Sequence, residues 1–104
     1  MGELIVGPVA DFPPGEVRIV RDGQLTIGVY NCDGELFALE DRCSHDDGPL
    51  CEGDFDCGER VVVCPRHGAR FDIKTGDVLS LPAVVPVPTY AVRVVGDEIR
   101  VGWA

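Results

Sequence analysis

The hydrophobic residues of this chain fall in short runs rich in β-branched side chains, separated by residue pairs typical of tight turns. Candidate strands cover residues 17–21, 25–30, 36–39, 60–63, 90–95 and 98–101. In the second of these, Leu25, Ile27 and Val29 share one face, because side chains alternate along a strand. No long stretch shows the 3.6-residue apolar period of a helix. The pattern therefore predicts an all-β fold, an antiparallel sandwich or barrel.

Turn-forming dipeptides delimit these strands. They are Asp22-Gly23, Asp33-Gly34, Thr75-Gly76 and Gly96-Asp97. Asp-Gly and Gly-Asp pairs tolerate positive φ, which two-residue hairpin turns require. We therefore expect hairpins between the strands that precede and follow residues 22–23, 33–34 and 96–97.

Two stretches do not fit the strand pattern. Residues 42–59 are rich in Cys, Gly, Asp and Pro, and residues 82–88 contain Pro82, Pro86 and Pro88. Proline cannot donate a hydrogen bond to a sheet, so it is excluded from central strands. Both stretches are interpreted as loops, and loops on a rigid scaffold are where functional sites are usually built.

The length of 104 residues suits one domain with one modest core. We expect residues 1–104 to form that single domain. No apolar run has the length that a membrane span needs, and the first residues do not resemble a secretory signal. The sequence thus predicts a soluble, cytoplasmic protein, which we expect to be a monomer.

The formal net charge is −9, from 18 acidic and 9 basic residues. Such a chain repels phosphate backbones, which argues against nucleic-acid binding. The charge contributes to solubility, and it could also attract a basic partner protein over a distance. Composition alone does not separate these two roles.

The chemistry of the chain is concentrated in two short Cys-His boxes. The chain has five cysteines and only two histidines, and each histidine closely follows a cysteine. The boxes are Cys43-Ser44-His45 and Cys64-Pro65-Arg66-His67. Two thiolates and two imidazoles make four ligands suited to a soft or borderline metal. Cys43, His45, Cys64 and His67 are therefore the candidate metal ligands.

Zinc and a two-iron cluster both accept this donor set. Zinc sites with two Cys and two His commonly keep the cysteines together and the histidines together. Here each loop supplies one of each. That arrangement suits a cluster in which one iron binds both sulfurs and the other binds both imidazoles. A zinc-binding structural module remains the non-redox alternative.

The two boxes, with Gly68, Phe71-Asp72 and Thr75-Gly76 after them, closely resemble the cluster-binding motif of Rieske proteins. Residues 81–92 are similar to the segment that shields the cluster in that family. The resemblance implies one [2Fe–2S] cluster per chain, held by the two Cys-His pairs. It also implies a β-sandwich base with a cluster-binding tip at about residues 42–88.

Four positions differ from the high-potential members of the family. Gly48 and Arg66 stand where those members have a pair of disulfide-forming cysteines, and Ala69 and Phe71 stand where they have hydroxyl side chains. At these positions the chain resembles the low-potential, ferredoxin-like branch, which includes bacterial dioxygenase ferredoxins.

The resemblance implies an electron-transfer protein and not an enzyme. Such a carrier takes electrons from a flavin-dependent ferredoxin reductase and passes them to a terminal ring-hydroxylating oxygenase. A small Rieske subunit of a nitrite-reductase-like complex and a carrier linked to iron–sulfur cluster biogenesis remain alternatives. An oxygenase is excluded by composition, because two histidines used by a cluster leave none for a mononuclear iron site.

Three cysteines lie outside the boxes. Cys32, beside a hairpin turn, is interpreted as an ordinary residue. Cys51 and Cys57 flank an acidic loop, and a Cys51–Cys57 disulfide is the pairing that their spacing suggests. The intracellular interpretation favours free thiols instead.

Overall fold

The computed structural model describes residues 2–43, 48–66, 68–83 and 85–103. These residues form one short 3-10 helix, Val9–Asp11, and the strands β1 Gly2–Pro8, β2 Val17–Asp22, β3 Leu25–Cys32, β4 Glu35–Glu40, β5 Phe55–Asp56, β6 Val61–Val63, β7 Arg70–Asp72, β8 Thr89–Val95 and β9 Glu98–Trp103. The predicted all-β class is confirmed. None of the helical residues described forms a segment long and apolar enough to span a bilayer.

Each of the six predicted strands is present, with ends shifted by one or two residues. Three further strands, β1, β5 and β7, were not predicted. The interpretation of residues 42–59 as loop throughout is wrong, because β5 lies inside that range and pairs with β6. A strand of two residues is too short to show alternation, so only its pairing with a neighbour identifies it.

The strands form two antiparallel sheets. The large sheet has the order β1-β9-β8-β4-β3-β2, and the small sheet has the order β5-β6-β7. Only two residue pairs, Ala38↔Tyr90 and Leu39↔Thr89, join β4 to β8. The large sheet therefore consists of two three-stranded halves with a short seam between them.

Strand β3 lies between two hydrophobic cores. Ile27 and Val29 belong to a core with Phe12, Ala38, Ile99 and Val101, inside the large sheet. Tyr30 and Cys32 point the other way, into a core that also contains Cys43 and Cys64. Side-chain alternation along one strand thus separates a structural core from the core that contains the predicted ligand cysteines.

The hairpin turns agree with the dipeptide signals in two cases. Asp33 and Gly34 have φ of 56° and 94° and connect β3 to β4, and residues 96–97 connect β8 to β9. The first hairpin is shifted by one residue, because Asp22 pairs with Leu25 and the turn therefore consists of residues 23–24. Gly23, with φ of 61°, supplies the positive φ of that turn.

Candidate metal centre

Cys43 is the first residue of a short closed loop. It follows β4 by three residues, its side chain is fully buried, and its backbone N–H donates to the carbonyl of Gly48 at 2.7 Å. This bond brings the two ends of the 43–48 segment together. Residues 44–47, which include the predicted ligand His45, lie outside the described residues.

Cys64 has a matching position in a second loop. It directly follows β6, it is only 1% exposed, and its N–H donates to the carbonyl of Ala69 at 2.8 Å. The N–H of Gly68 donates in turn to the Cys64 carbonyl at 3.0 Å. Gly68 has φ of 74°, a conformation that glycine adopts without the steric cost of a Cβ. The chain then enters β7 at Arg70.

The two cysteines therefore occupy equivalent places: each is buried and stands at the start of a loop closed by its own N–H. Both belong to one hydrophobic core, with Leu50, Ala69 and Phe71 among its other members. Two thiols in a dry core fit a metal–sulfur cluster, because thiolates are soft ligands and burial shields the cluster from water. The donor set thus suits an iron–sulfur group.

The two histidines complete the predicted ligand set. Both His45, in the first loop, and His67, in the second, lie outside the described residues. Within the described ranges, no group of three or more His, Cys, Asp or Glu side chains forms a metal site. The structure thus brings Cys43 and Cys64 into one core, while the assignment of His45 and His67 as ligands stays a prediction.

Asp41 links the segments on the two sides of the first loop by hydrogen bonds. Its Oδ1 accepts the backbone N–H groups of Leu50 at 3.0 Å and of Cys51 at 2.7 Å. The carboxylate thus joins the residue two places before Cys43 to two residues that follow the 43–48 loop. Sequence analysis missed this role, since a lone aspartate before a cysteine box gives no signal of what it accepts.

A third segment covers the same core. Ala83 and Val87 are buried in it, and the N–H of Val87 donates to the carbonyl of Gly76 at 2.9 Å. Gly76 has φ of 78°, and the Val87 carbonyl occupies the space that a Cβ at position 76 would need. Leu81, in contrast, is 75% exposed and Val85 is 55% exposed. The segment therefore buries two apolar side chains in the core of the cysteines and exposes two others to solvent.

The remaining cysteines differ from the predicted arrangement. Cys32 forms a disulfide with Cys57, so neither the unpaired Cys32 nor a Cys51–Cys57 bridge is correct. Cys51 is free and buried against Gly28 of β3. Cys57 follows β5, which reaches the end of β3 where Cys32 lies. The pairing depends on how the small sheet packs on the large one, and sequence spacing does not contain that information.

Burial governs the protonation of Cys51. Removal from water raises the pKa of this thiol to about 12, an effect that the neighbouring Tyr30 hydroxyl partly offsets. Burial also raises the pKa of Tyr30. Cys51 is therefore a neutral thiol packed against β3, without the thiolate character that a metal ligand or nucleophile needs.

Comparison with known protein sequences shows the family of this chain. A profile of the Rieske [2Fe-2S] domain matches residues 2–91. The chain belongs to the Rieske [2Fe-2S] domain family. The 3-phenylpropionate/cinnamic acid dioxygenase ferredoxin subunit of Escherichia coli (strain K12), a curated Rieske relative, is 41% identical over 95% of this chain and 92% of that protein.

Solved Rieske structures have the same fold. The ferredoxin of carbazole 1,9a-dioxygenase from Nocardioides aromaticivorans IC177 is 31% identical, with a TM-score of 0.89 over 97% of each chain. A chain in a complex of reduced oxygenase and oxidized ferredoxin in carbazole 1,9a-dioxygenase is 36% identical, with a TM-score of 0.87 over 95% of this chain and 91% of that one. The present protein is thus a Rieske ferredoxin, an electron-transfer protein with one [2Fe–2S] cluster per chain.

Proposed function

We propose that this protein is a cytoplasmic carrier of single electrons between a flavin-dependent ferredoxin reductase and a terminal ring-hydroxylating oxygenase. The cluster ligands in this proposal are Cys43, His45, Cys64 and His67. Residues 1–104 act as one domain, with the cluster-binding tip at about residues 42–88. The main support is the pair of buried cysteines at the start of two equivalent loops in a family that binds [2Fe–2S].

In the proposal the two pairs of ligands have different roles, and the burial of Cys43 and Cys64 supports the role of the cysteines. When bound, the cluster supplies a reversible one-electron couple, and its two cysteine ligands lie in the dry core. Imidazole puts less negative charge on iron than thiolate does, so a Cys₂His₂ cluster accepts an electron more readily than a Cys₄ cluster. In the proposal the histidines face outwards and form the exit for the electron.

The surface near the thiols supports docking to a redox partner. Leu79, Leu81 and Val85 are exposed apolar residues in the segment that covers the cluster core. Small apolar surfaces surrounded by polar residues are typical of transient protein contacts. The net charge of −9 adds long-range attraction to a basic partner.

The choice of an oxygenase as electron acceptor rests on relatives. The curated relatives cover almost the whole chain and are named as dioxygenase ferredoxin subunits. One solved relative was captured in a complex of oxygenase and ferredoxin.

Ligand substitution tests the cluster assignment. The purified protein should contain two irons and two labile sulfides, and dithionite reduction should give a rhombic EPR signal with an average g below the free-electron value. C43S, H45A, C64S and H67A should lose the cluster, whereas C51A, the buried cysteine that is not a ligand, should keep it. One zinc per chain without labile sulfide would refute the assignment.

Stopped-flow reduction tests the carrier role. A flavin-dependent reductase should reduce one cluster per electron, and the reduced protein should reoxidise when mixed with an oxidised ring-hydroxylating oxygenase. The reductase step should slow as salt rises, because screening shortens the reach of the charges. A reduced protein that stays reduced in the presence of the oxygenases of all related systems would contradict this partner.

A further inference from the structure

The Cys32–Cys57 disulfide is a cysteine pair outside the metal centre. Cys32 is the last residue of β3 in the large sheet, and Cys57 directly follows β5 in the small sheet. The bond therefore joins the two sheets covalently. Cys32 lies in the core that contains Cys43 and Cys64, and Cys57 packs against the same core.

The two sulfurs differ in their access to solvent. Cys32 is only 4% exposed. Cys57 is half-buried and lines an open depression of about 420 Å³, together with Gly15, Gly53, Asp54 and Phe55. A small thiol or disulfide that enters this depression therefore meets Cys57 before the more deeply buried Cys32.

Asn31 holds Cys32 in place independently of the disulfide. Its backbone N–H donates to the Glu16 carbonyl at 3.0 Å and its side-chain amide donates to the Phe12 carbonyl at 2.8 Å. Its side-chain oxygen accepts the Gly34 N–H at 2.8 Å. The backbone that carries Cys32 is thus anchored on both sides, so Cys32 keeps its place in the large sheet when the bond is open.

A half-buried cysteine that lines an open depression, bonded to a buried partner on an anchored strand, is the arrangement of a reversible thiol site. We propose that Cys57 is a site of S-thiolation by low-molecular-weight disulfides, and that Cys32 is the thiol that resolves the adduct. Disulfides of cytoplasmic proteins are commonly transient, because thiol pools keep them reduced. The open, reduced form rests on the cytoplasmic location given in the proposed function, whereas the exchange chemistry itself goes beyond the carrier role.

The exchange balances in two steps. In the open form, the Cys57 thiolate attacks a small disulfide RS–SR, giving Cys57–S–SR and releasing RS⁻, which takes up a proton. Cys32 then loses its proton to solvent and attacks the Cys57 sulfur, which forms the Cys32–Cys57 bond and releases a second RSH. Two protein thiols are oxidised by two electrons, and one small disulfide is reduced to two thiols. Excess RSH reverses both steps.

The charge around Cys57 favours one class of small disulfide. Asp54 lines the depression and Asp56 directly precedes Cys57, and both are exposed. The net charge of the whole chain has the same sign. The local potential therefore attracts cationic disulfides and repels anionic ones, and salt weakens both effects.

Mass spectrometry of the cluster-loaded protein tests the proposal. The protein is reduced with dithiothreitol, desalted, and treated with cystamine or with glutathione disulfide, and intact masses are measured without reductant. Wild type should end as the intramolecular disulfide with no adduct. C32S should keep one adduct, which peptide mapping should place on Cys57. C57S should form none, and C32S/C51A should behave as C32S does.

The rates test the charge argument and provide a readout that does not depend on these variants. Wild type should react with cystamine roughly tenfold faster than with glutathione disulfide at low salt, and the ratio should fall towards one at high salt. No closure of the Cys32–Cys57 bond in wild type, or an adduct in C57S equal to that in C32S, would overturn the proposal. Iron content and the visible spectrum, recorded in parallel, report separately on the cluster.

Discussion

Gly28 and Cys51 pack so closely that position 28 has no room for a side chain. A Cβ added to Gly28 would lie 2.6 Å from the Cβ of Cys51 and closer still to its sulfur. Gly28 is in β3, and Cys51 follows the 43–48 loop by three residues. The glycine therefore lets Cys51 pack directly on the large sheet, close in sequence to the loop that begins at Cys43.

Substitution of Gly28 tests this contact. G28A should lower the free energy of unfolding by about 1–3 kcal/mol, because the methyl group must displace Cys51 and the loop attached to it. G102A is the matched control, since the nearest atom to a Cβ at this other strand glycine is 3.6 Å away. It should change stability by no more than about 0.5 kcal/mol. Urea unfolding of both variants measures the difference, and equal effects would contradict the packing argument.

The raised pKa of Cys51 predicts a loss of stability in alkali. An unfolded thiol has a pKa of about 8.5, whereas burial raises the pKa of Cys51 to about 12. Between these values the unfolded chain releases the proton and the folded chain keeps it. The stability that the neutral Cys51 thiol adds to the folded state is therefore complete below the lower pKa. It declines as pH rises towards the upper pKa, by up to about 1.4 kcal/mol per pH unit.

C51A isolates this contribution, because other titrating groups are common to both proteins. The free energy of unfolding, measured between about pH 8 and pH 11, should fall more steeply for wild type than for C51A. Parallel curves for the two proteins would mean that Cys51 titrates as freely in the folded state as in the unfolded state.

The Asp41 carboxylate is predicted to stabilise the first cluster loop. D41A leaves the N–H groups of Leu50 and Cys51 without their acceptor, so unfolding should become easier by about 1–3 kcal/mol. Bleaching of the visible spectrum in the presence of an iron chelator should also be faster. D41N keeps a side-chain oxygen at the same place and should lie between wild type and D41A. If D41N and D41A behave alike, charge and not hydrogen bonding is what Asp41 contributes.

The potential should respond to hydroxyl groups added near the cluster. Ala69 and Phe71 are fully buried in the core with Cys43 and Cys64. A hydroxyl placed there needs an acceptor, and a donor to a cluster or cysteine sulfur favours the more electron-rich reduced state. A difference of about 1.4 kcal/mol between redox states shifts a one-electron potential by about 60 mV.

We therefore expect wild type to titrate near −150 mV, at the low end of the Rieske range, and A69S and F71Y to titrate several tens of millivolts higher. V101T is the control, since Val101 is equally buried but belongs to the other core. Redox titration of the four proteins, each loaded with cluster, measures the shifts. If both hydroxyl variants have the same reduction potential as wild type, backbone amides and burial would have to account for the low value.

The sequence by itself determined the features that depend on neighbours along the chain. Alternation in β3, the positive-φ turn at Asp33 and Gly34, and the two Cys-His boxes all follow from residue type and spacing. Cys43 and Cys64 were identified as ligand candidates for the same reason, and the structure places both thiols in one buried core. Such signals are local, because strand period, turn geometry and ligand spacing each involve only a few consecutive residues.

Only the tertiary structure decided which distant residues meet. The Cys32–Cys57 bond spans 25 residues and joins different sheets, and spacing alone suggested the nearer partner, Cys51. The two-residue strand β5 and the acceptor role of Asp41 likewise exist only through their partners in space. These contacts depend on the path of a loop and on the packing of one sheet against another. Many paths bury the same apolar residues, so a linear pattern does not distinguish among them.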